Sequence, residues 1–339
     1  MNIVTLFKKY QKYFIAILLL SVLLLITRFI SNIDFHTLNT YLYETPEMFV
    51  FVIITSFLAY LSSAKAWMLC MGSEGKKTSI TQVFVFRHVG EMLGTFNPTN
   101  VIAGDTLKIS YLSKVGITIK NGLSSILLMR MLNILSSMLL IVISVIYLTF
   151  GRFNGSQEVV LIFMIAVAIA FGFLLAKYLL DDHLYFGRTV AKIRQKTKWS
   201  FLTEKTVDTC YEINAIASDY YKDNKLKFLY AFLLMTLHWI FGAIEFFIVL
   251  QTLHIKISVV DAVAVEMGVT LFKSLGAIIP GQIGVEEYGN KVMLDVIGIA
   301  SNEVWFVVSL VRRARQLFWL AIAGVLFLII SKKKSYKTI

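Results

Sequence analysis

Apolar runs at 13–31, 48–71, 122–149, 158–179, 227–251 and 305–330 dominate the sequence. The hydrocarbon core of a bilayer is about 30 Å thick, so roughly 20 apolar residues in a helix cross it. Each run is close to that length or exceeds it. The chain therefore reads as an all-α polytopic membrane protein with about six full spans, one transmembrane domain over 1–339. Its composition agrees: 57% of residues are apolar and only 16% charged, outside the range of a soluble domain.

The net charge of +12 is concentrated in short segments between the apolar runs. That is the positive-inside pattern, and it excludes nucleic acid as a partner. Lys8, Lys9 and Lys12 place the N-terminus in the cytoplasm. The first run has no small-x-small cleavage site before Asn32-Ile33-Asp34, so it reads as an uncleaved span. The stretch to Glu47 holds Asp34, Glu44 and Glu47 without Lys or Arg and suits the outside. Lys76-Lys77 then lie inside, and Lys65 is near enough to that end to snorkel. A basic link at 181–226, with Arg188, Lys192, Arg194, Lys196, Lys198, Lys205, Lys222 and Lys225, returns to the cytoplasm. Within it Cys210, Ile213, Ala217 and Tyr220 recur at helical spacing, so this helix either lies on the inner membrane surface or packs on the bundle. Lys332-Lys333-Lys334 place the C-terminus inside as well.

Two stretches interrupt this layout. Gly94-Thr95-Phe96-Asn97-Pro98 runs on to Ala103-Gly104-Asp105, and Gly276-Ala277-Ile278-Ile279-Pro280-Gly281-Gln282-Ile283-Gly284 runs on to Glu286-Glu287. Each has a Gly four residues before a Pro and a later Gly shortly before a carboxylate. Broken backbone at membrane depth survives only where protein or a watery cavity satisfies it. Matched breaks in two halves of a chain point to a transporter's binding site. Counting sides, 79–120 must enter from and leave to the cytoplasm, and 258–301 must enter from and leave to the exterior. The two elements, within repeats at 79–180 and 227–331, are thus expected as re-entrant hairpins of an inverted-topology repeat.

Charges inside the apolar segments carry both signs: Glu91, Arg130, Glu245, Glu266 and Lys273, with Arg312, Arg313 and Arg315. A Lys, Arg or Asp costs roughly 2.5–3.5 kcal/mol at a helix centre, so several near mid-bilayer require compensation. Mutual pairing could hold the hairpins to their neighbours. Collectively they could instead receive a charged or zwitterionic lipid headgroup, with Arg on phosphate and Glu287 on an amine or a proton. Arg312 and Arg315 share a helix face and Arg313 points elsewhere, so at most two of the three should meet one site. Catalytic motifs are missing: no His-Glu-x-x-His, Gly-x-Ser-x-Gly, phosphate-cradling loop or clustered Cys/His ligands. His36, His88, His183, His238 and His254 are scattered, and Cys70 and Cys210 have no disulfide or metal spacing. No cofactor or metal is expected, and no enzyme activity.

Pro280-Gly281-Gln282-Ile283-Gly284-Val285-Glu286-Glu287, with Gly298 and the Arg-bearing last span, resembles the flippase-like transmembrane domain of bacterial lysylphosphatidylglycerol synthases and stand-alone relatives. Pro98 to Gly104-Asp105, with Lys108, is similar to that family's Pro…Gly-Asp-x-x-Arg/Lys signature. Asn97, Thr99 and Asn100 stand where the family has more glycine, Lys108 where Arg is common, and Gln282 where Gly is usual. The resemblance implies a bacterial plasma-membrane bundle with inverted repeats that moves a lipid between leaflets. By position, Asp105, Lys108 and Glu287 are the polar residues it carries over. It also implies a chain that does not itself make lysyl-lipid, because only a short tail follows Lys332.

The expected substrate path is Glu91, Asn97, Pro98, Gly104, Asp105, Lys108, Arg130, Glu266, Lys273, Pro280, Gly281, Gly284, Glu286, Glu287, Arg312 and Arg315. The leading expectation is a translocase for a phospholipid or lipid-linked glycan with an anionic or zwitterionic headgroup. The alternatives are a non-transporting lipid-binding scaffold for a separate lipid-modifying enzyme, and an intramembrane enzyme using the carboxylates.

Overall fold

The structure, a computed structural model, describes residues 47–96, 100–152, 170–172, 174, 176–197, 203–276 and 279–331. Its α-helices are α1 (Glu47–Cys70), α2 (Ile80–Phe96), α3 (Asn100–Lys114), α4 (Ile119–Arg152), α5 (Tyr185–Lys196), α6 (Glu204–Asp223), α7 (Lys225–Thr252), α8 (Val259–Leu275), α9 (Val285–Val296) and α10 (Asn302–Ser331). Two 3-10 turns, Glu74–Lys77 and Pro280–Gln282, complete it, and no strand occurs among the described residues. Short polar side chains fix where several helices begin. Ser79 and Gln82 bond each other's backbone N–H ahead of α2, at 3.2 and 3.0 Å. Ser258 and Asp261 do the same for α8, and Ser301 caps α10 through Val304 N. Each such cap satisfies N–H groups that a helix start leaves open.

Four helices, α1, α4, α7 and α10, are long and apolar enough to cross a membrane. They correspond to the runs at 48–71, 122–149, 227–251 and 305–330. The run at 13–31 lies outside the described residues. Most of 158–179 does too; its described end belongs to the apolar helix Ala170–Leu180.

The interrupted stretches form two helical hairpins, α2–α3 and α8–α9. Their open ends sit at opposite ends of the bundle. Ile117 at the foot of the first hairpin shares an apolar cluster with Cys70, Ile126, Tyr220, Ala231 and Ile330. Those residues end α1, begin α4, end α6, begin α7 and end α10. Lys77 Nζ also donates to Gly116 O across the foot, at 3.0 Å. At the second foot, Ile257 and Ile297 join Met48, Leu148, Leu250 and Val304, which are the opposite ends of α1, α4, α7 and α10. The turn of the second hairpin packs against α2.

Of the two placements open to the link helix, the structure has α6 against the bundle. Ile213, Ala217 and Tyr220 are buried, and Tyr220 Oη donates to Leu69 O at 2.8 Å. Burial raises the Tyr220 phenol above its ordinary range and the Cys210 thiol likewise. Neither cysteine is in a disulfide: Cys70 is buried and Cys210 half-buried.

Candidate functional site

Two polar clusters stand where the hairpins approach each other. The first is built on α2–α3. Gly90 and Gly104 let these helices touch: a Cβ on Gly104 would lie 2.3 Å from Gly90 O, and one on Gly90 would lie 2.5 Å from Lys108 Cε. The stem of Lys108 fills the slot that Gly90 leaves, and its ammonium reaches Glu91 Oε1 at 2.5 Å and Asp105 Oδ1 at 3.3 Å. Arg130 of α4 closes the set, donating from Nε and Nη2 to Asp105 Oδ2 at 3.1 and 2.6 Å. Lys108 is 2% exposed, but Glu91 is 50% and Arg130 41% exposed. The cluster therefore has a buried base and an open mouth. Arg87, one turn before Glu91, lies over the Tyr60 ring at 5.2 Å and donates to Ser63 Oγ. Counting Arg87, Lys108 and Arg130 against Glu91 and Asp105, the first cluster has one cation more than it has carboxylates.

The second cluster is built on the turn between α8 and α9. Gly281, Gln282 and Gly284 all have positive φ, at 62°, 52° and 84°, a backbone that glycine adopts freely and other residues resist. Gln282, which stands there in spite of that resistance, donates from Nε2 to Lys273 O at 3.2 Å. The turn directs its carbonyls toward α10. Arg313 binds Gly281 O and Gln282 O at 2.9 and 3.1 Å and forks onto Glu287, at 2.5 and 3.1 Å. Glu287 meanwhile accepts from Gly284 N at 2.7 Å, where a helix start favours a carboxylate. Behind this rim Arg312 meets three carboxylates: Glu266 at 3.0 Å, Glu286 at 3.2 Å and Glu245 at 3.7 Å. Its guanidinium also stacks on Phe246, 4.3 Å from the centroid. Arg315 donates to Glu245 Oε1 at 2.6 Å, Gln316 donates to Glu286 Oε2 at 2.7 Å, and Lys273 stands 3.9 Å from Glu286.

An aromatic strip joins the clusters. Trp319, one turn beyond Arg315, accepts at its carbonyl from His88, or faces it at 3.2 Å, depending on the imidazole tautomer. Tyr60 packs edge-on against both His88 and Trp319, and His238 lies on its other side. His88 is thus a packing residue of this strip.

The expectation that Arg313 points away from its neighbours is wrong. All three arginines of α10 meet the carboxylates of α7, α8 and α9, because the α8–α9 turn wraps around the helix and offers Arg313 its own anchors. Sequence reasoning also missed Gln316, Arg87 and Tyr60. Gln316 is one turn after Arg312 and Arg87 one turn before Glu91, so helical spacing was the available signal; nothing local marked Tyr60. Gly104 serves as the point of contact between two helices. Asn97 and Pro98 lie outside the described residues, and Pro280 opens the 3-10 turn. Among the described residues no group of His, Cys, Asp and Glu is placed to hold a metal ion.

A family model, the lysylphosphatidylglycerol synthase TM region, matches residues 13–324. No curated protein and no solved structure matches the chain.

Proposed function

The chain belongs to the lysylphosphatidylglycerol synthase TM region family, and from that premise we propose that it is a lipid translocase of the bacterial plasma membrane. It acts without chemistry of its own, moving the headgroup of a phospholipid or lipid-linked glycan between leaflets while the acyl chains stay in the bilayer. The observation that carries this reading is the pairing of two broken hairpins that enter from opposite ends and meet at two ionic clusters. Such an arrangement suits an inverted-topology repeat with both termini cytoplasmic, in which small rocking movements alternate access.

The first cluster supplies the headgroup contact in this reading. Its mouth is open, its surplus is one positive charge, and Arg130 retains donors that Asp105 does not use. A planar guanidinium suits a phosphate, and exposed Glu91 can meet an amine where the headgroup has one. The second cluster, buried and ion-paired within itself, holds the opposing hairpin in register. Directionality requires that the lipid bind the inward-open and outward-open states with different affinity.

Reconstitution into liposomes with fluorescent anionic and zwitterionic lipids tests the proposal. Protein-containing vesicles should expose inner-leaflet label to an added quencher faster than empty ones for at least one lipid. Equal rates across the panel would sink it.

A further inference from the structure

The helix α5 takes part in neither hairpin. Its 12 residues include Arg188, Lys192, Arg194 and Lys196 and no carboxylate, and no Asp or Glu occurs anywhere in 183–203. The two carboxylates just before it, Asp181 and Asp182, bond His183 and Lys222 instead. One side of α5 is fixed to α6. Asn214 Oδ1 accepts from Phe186 N and Gly187 N at 3.0 and 3.4 Å, and its Nδ2 donates to Leu179 O at 2.6 Å. Gly187 is buried there, and a Cβ on it would lie 2.4 Å from the Tyr211 ring. Arg194, two turns further on, pairs with Glu204 at 2.9 Å.

The other side carries charge without partners. Arg188, Lys192 and Lys196 recur every four residues, so they share a face, and all three are exposed. None is ion-paired to a described residue. Ile193, beside them, is 37% exposed. The exposed residues of α6 are of the opposite kind: Glu204, Asp208, Glu212, Asp219 and Asp223 against Lys205 and Lys222. A negatively charged surface is therefore drawn to α5 and repelled by α6.

The position of α5 identifies that surface. Only 181–184 separate it from the apolar helix Ala170–Leu180, whose Phe171 and Leu174 are exposed. Leu184, at φ 50°, is a left-handed residue that ends continuation of that helix. Across the corner Tyr178 meets Phe186 edge-on at 6.2 Å. Thus α5 starts at the boundary of the membrane-embedded part, where a basic amphipathic helix meets lipid headgroups.

We infer that α5 is an anionic-lipid contact. Arg188, Lys192 and Lys196 lie on the phosphates of acidic phospholipids in the adjoining leaflet, with their stems and Ile193 toward the acyl boundary. Charge selects the lipid class: the ammonium of a zwitterionic headgroup offsets its phosphate, whereas each base beside an acidic leaflet is worth about fivefold in local preference. An acidic protein fits less well, because the face opens four residues from a lipid-exposed apolar helix. That the leaflet is the cytoplasmic one rests on the topology of the translocase reading; the contact itself does not.

Fluorescence quenching of the full chain in nanodiscs tests the contact. A fluorophore is placed at Ile193→Cys in a Cys210→Ser background, Cys70 being buried. The discs contain phosphatidylglycerol or phosphatidylcholine, at equal mole fraction, with a nitroxide near the top of one acyl chain. Phosphatidylglycerol should quench several-fold more, and the excess should fade as salt is raised. The combined change Arg188→Gln, Lys192→Gln and Lys196→Gln should abolish the excess without altering the unfolding temperature. Should that variant fail to fold, Lys192→Gln alone should lower the excess. Equal quenching by the two lipids, quenching by neither, or an excess that survives these changes overturns the contact, and none of these outcomes depends on flux. In whole bacterial cells, a membrane-impermeant thiol reagent should leave Ile193→Cys unlabelled from outside. Labelling there would overturn the cytoplasmic placement, and with it the topology of the translocase reading, while the nanodisc result still judges the contact.

Discussion

The two ionic clusters are made of the same residue types and solve different problems. The one on α2–α3 is half open, and its Arg130 and Glu91 are 41% and 50% exposed. The one around α8–α9 places Arg312, Glu245, Glu266 and Glu286 at 7% side-chain exposure or less. Water screens the first, so its pairs contribute little to stability and can be exchanged for a ligand. The second is cut off from water, so breaking any member strands a charge. Open pairing suits binding; closed pairing holds a broken backbone together.

Substitutions can break that contrast. The largest effect is expected from Arg312→Ala, which removes a guanidinium shared by three buried carboxylates and takes from Glu266 its ion pair. It should cost about 3–5 kcal/mol, seen as a large fall in thermal unfolding temperature in detergent. A fall no larger than that of an exposed charge would remove the distinction between the clusters. Gly104→Ala comes next, because its Cβ would meet the Gly90 backbone at 2.3 Å and the helices must separate. A cost of about 1–3 kcal/mol is expected, with Lys108 displaced from its slot. Gly284→Ala should cost about 1–2 kcal/mol through its positive φ, measured in the same unfolding assay; a neutral result would contradict the turn geometry.

The smallest effect lies outside the bundle. Asp182 at the entry to α5 accepts from Lys222 and Ser218, and these bonds hold its carboxyl below the usual carboxylate range. A depressed folded-state pKa stabilises the protein above the unfolded-state value, and that contribution fades as pH falls through the folded one. Asp182→Asn should therefore leave unfolding at acid pH nearly unchanged and lower it slightly at neutral pH. The opposite pH trend would contradict the assignment.

How much of this was legible in sequence divides along the same line as the clusters. Span lengths and the two breaks follow from local rules, since run length, Pro98, Pro280 and the glycines act within a few residues of themselves. Asp105 and Lys108 came instead from the resemblance to the family's Pro…Gly-Asp-x-x-Arg/Lys signature. The charged members of the second cluster were legible too, but which pairs with which was not. Glu245 and Arg315 are 70 residues apart and Arg312 and Glu286 26 apart, so their pairing depends on how four helices pack. Arg313 was misjudged because helical spacing describes one helix and cannot anticipate a turn wrapped around it. Tyr60, His238 and Trp319 come together only where α1, α7 and α10 meet, and no pattern within any one segment announces that.

The central claim is that the first cluster binds while the second holds the fold, and one variant tests it most directly. Arg130→Ala removes an exposed member of the open cluster and should change stability by no more than about 1 kcal/mol. Measured in liposomes beside wild type, with unfolding temperature checked on the same preparations, it should lose lipid flux while keeping its fold. Flux equal to wild type in a folded Arg130→Ala protein would contradict the account.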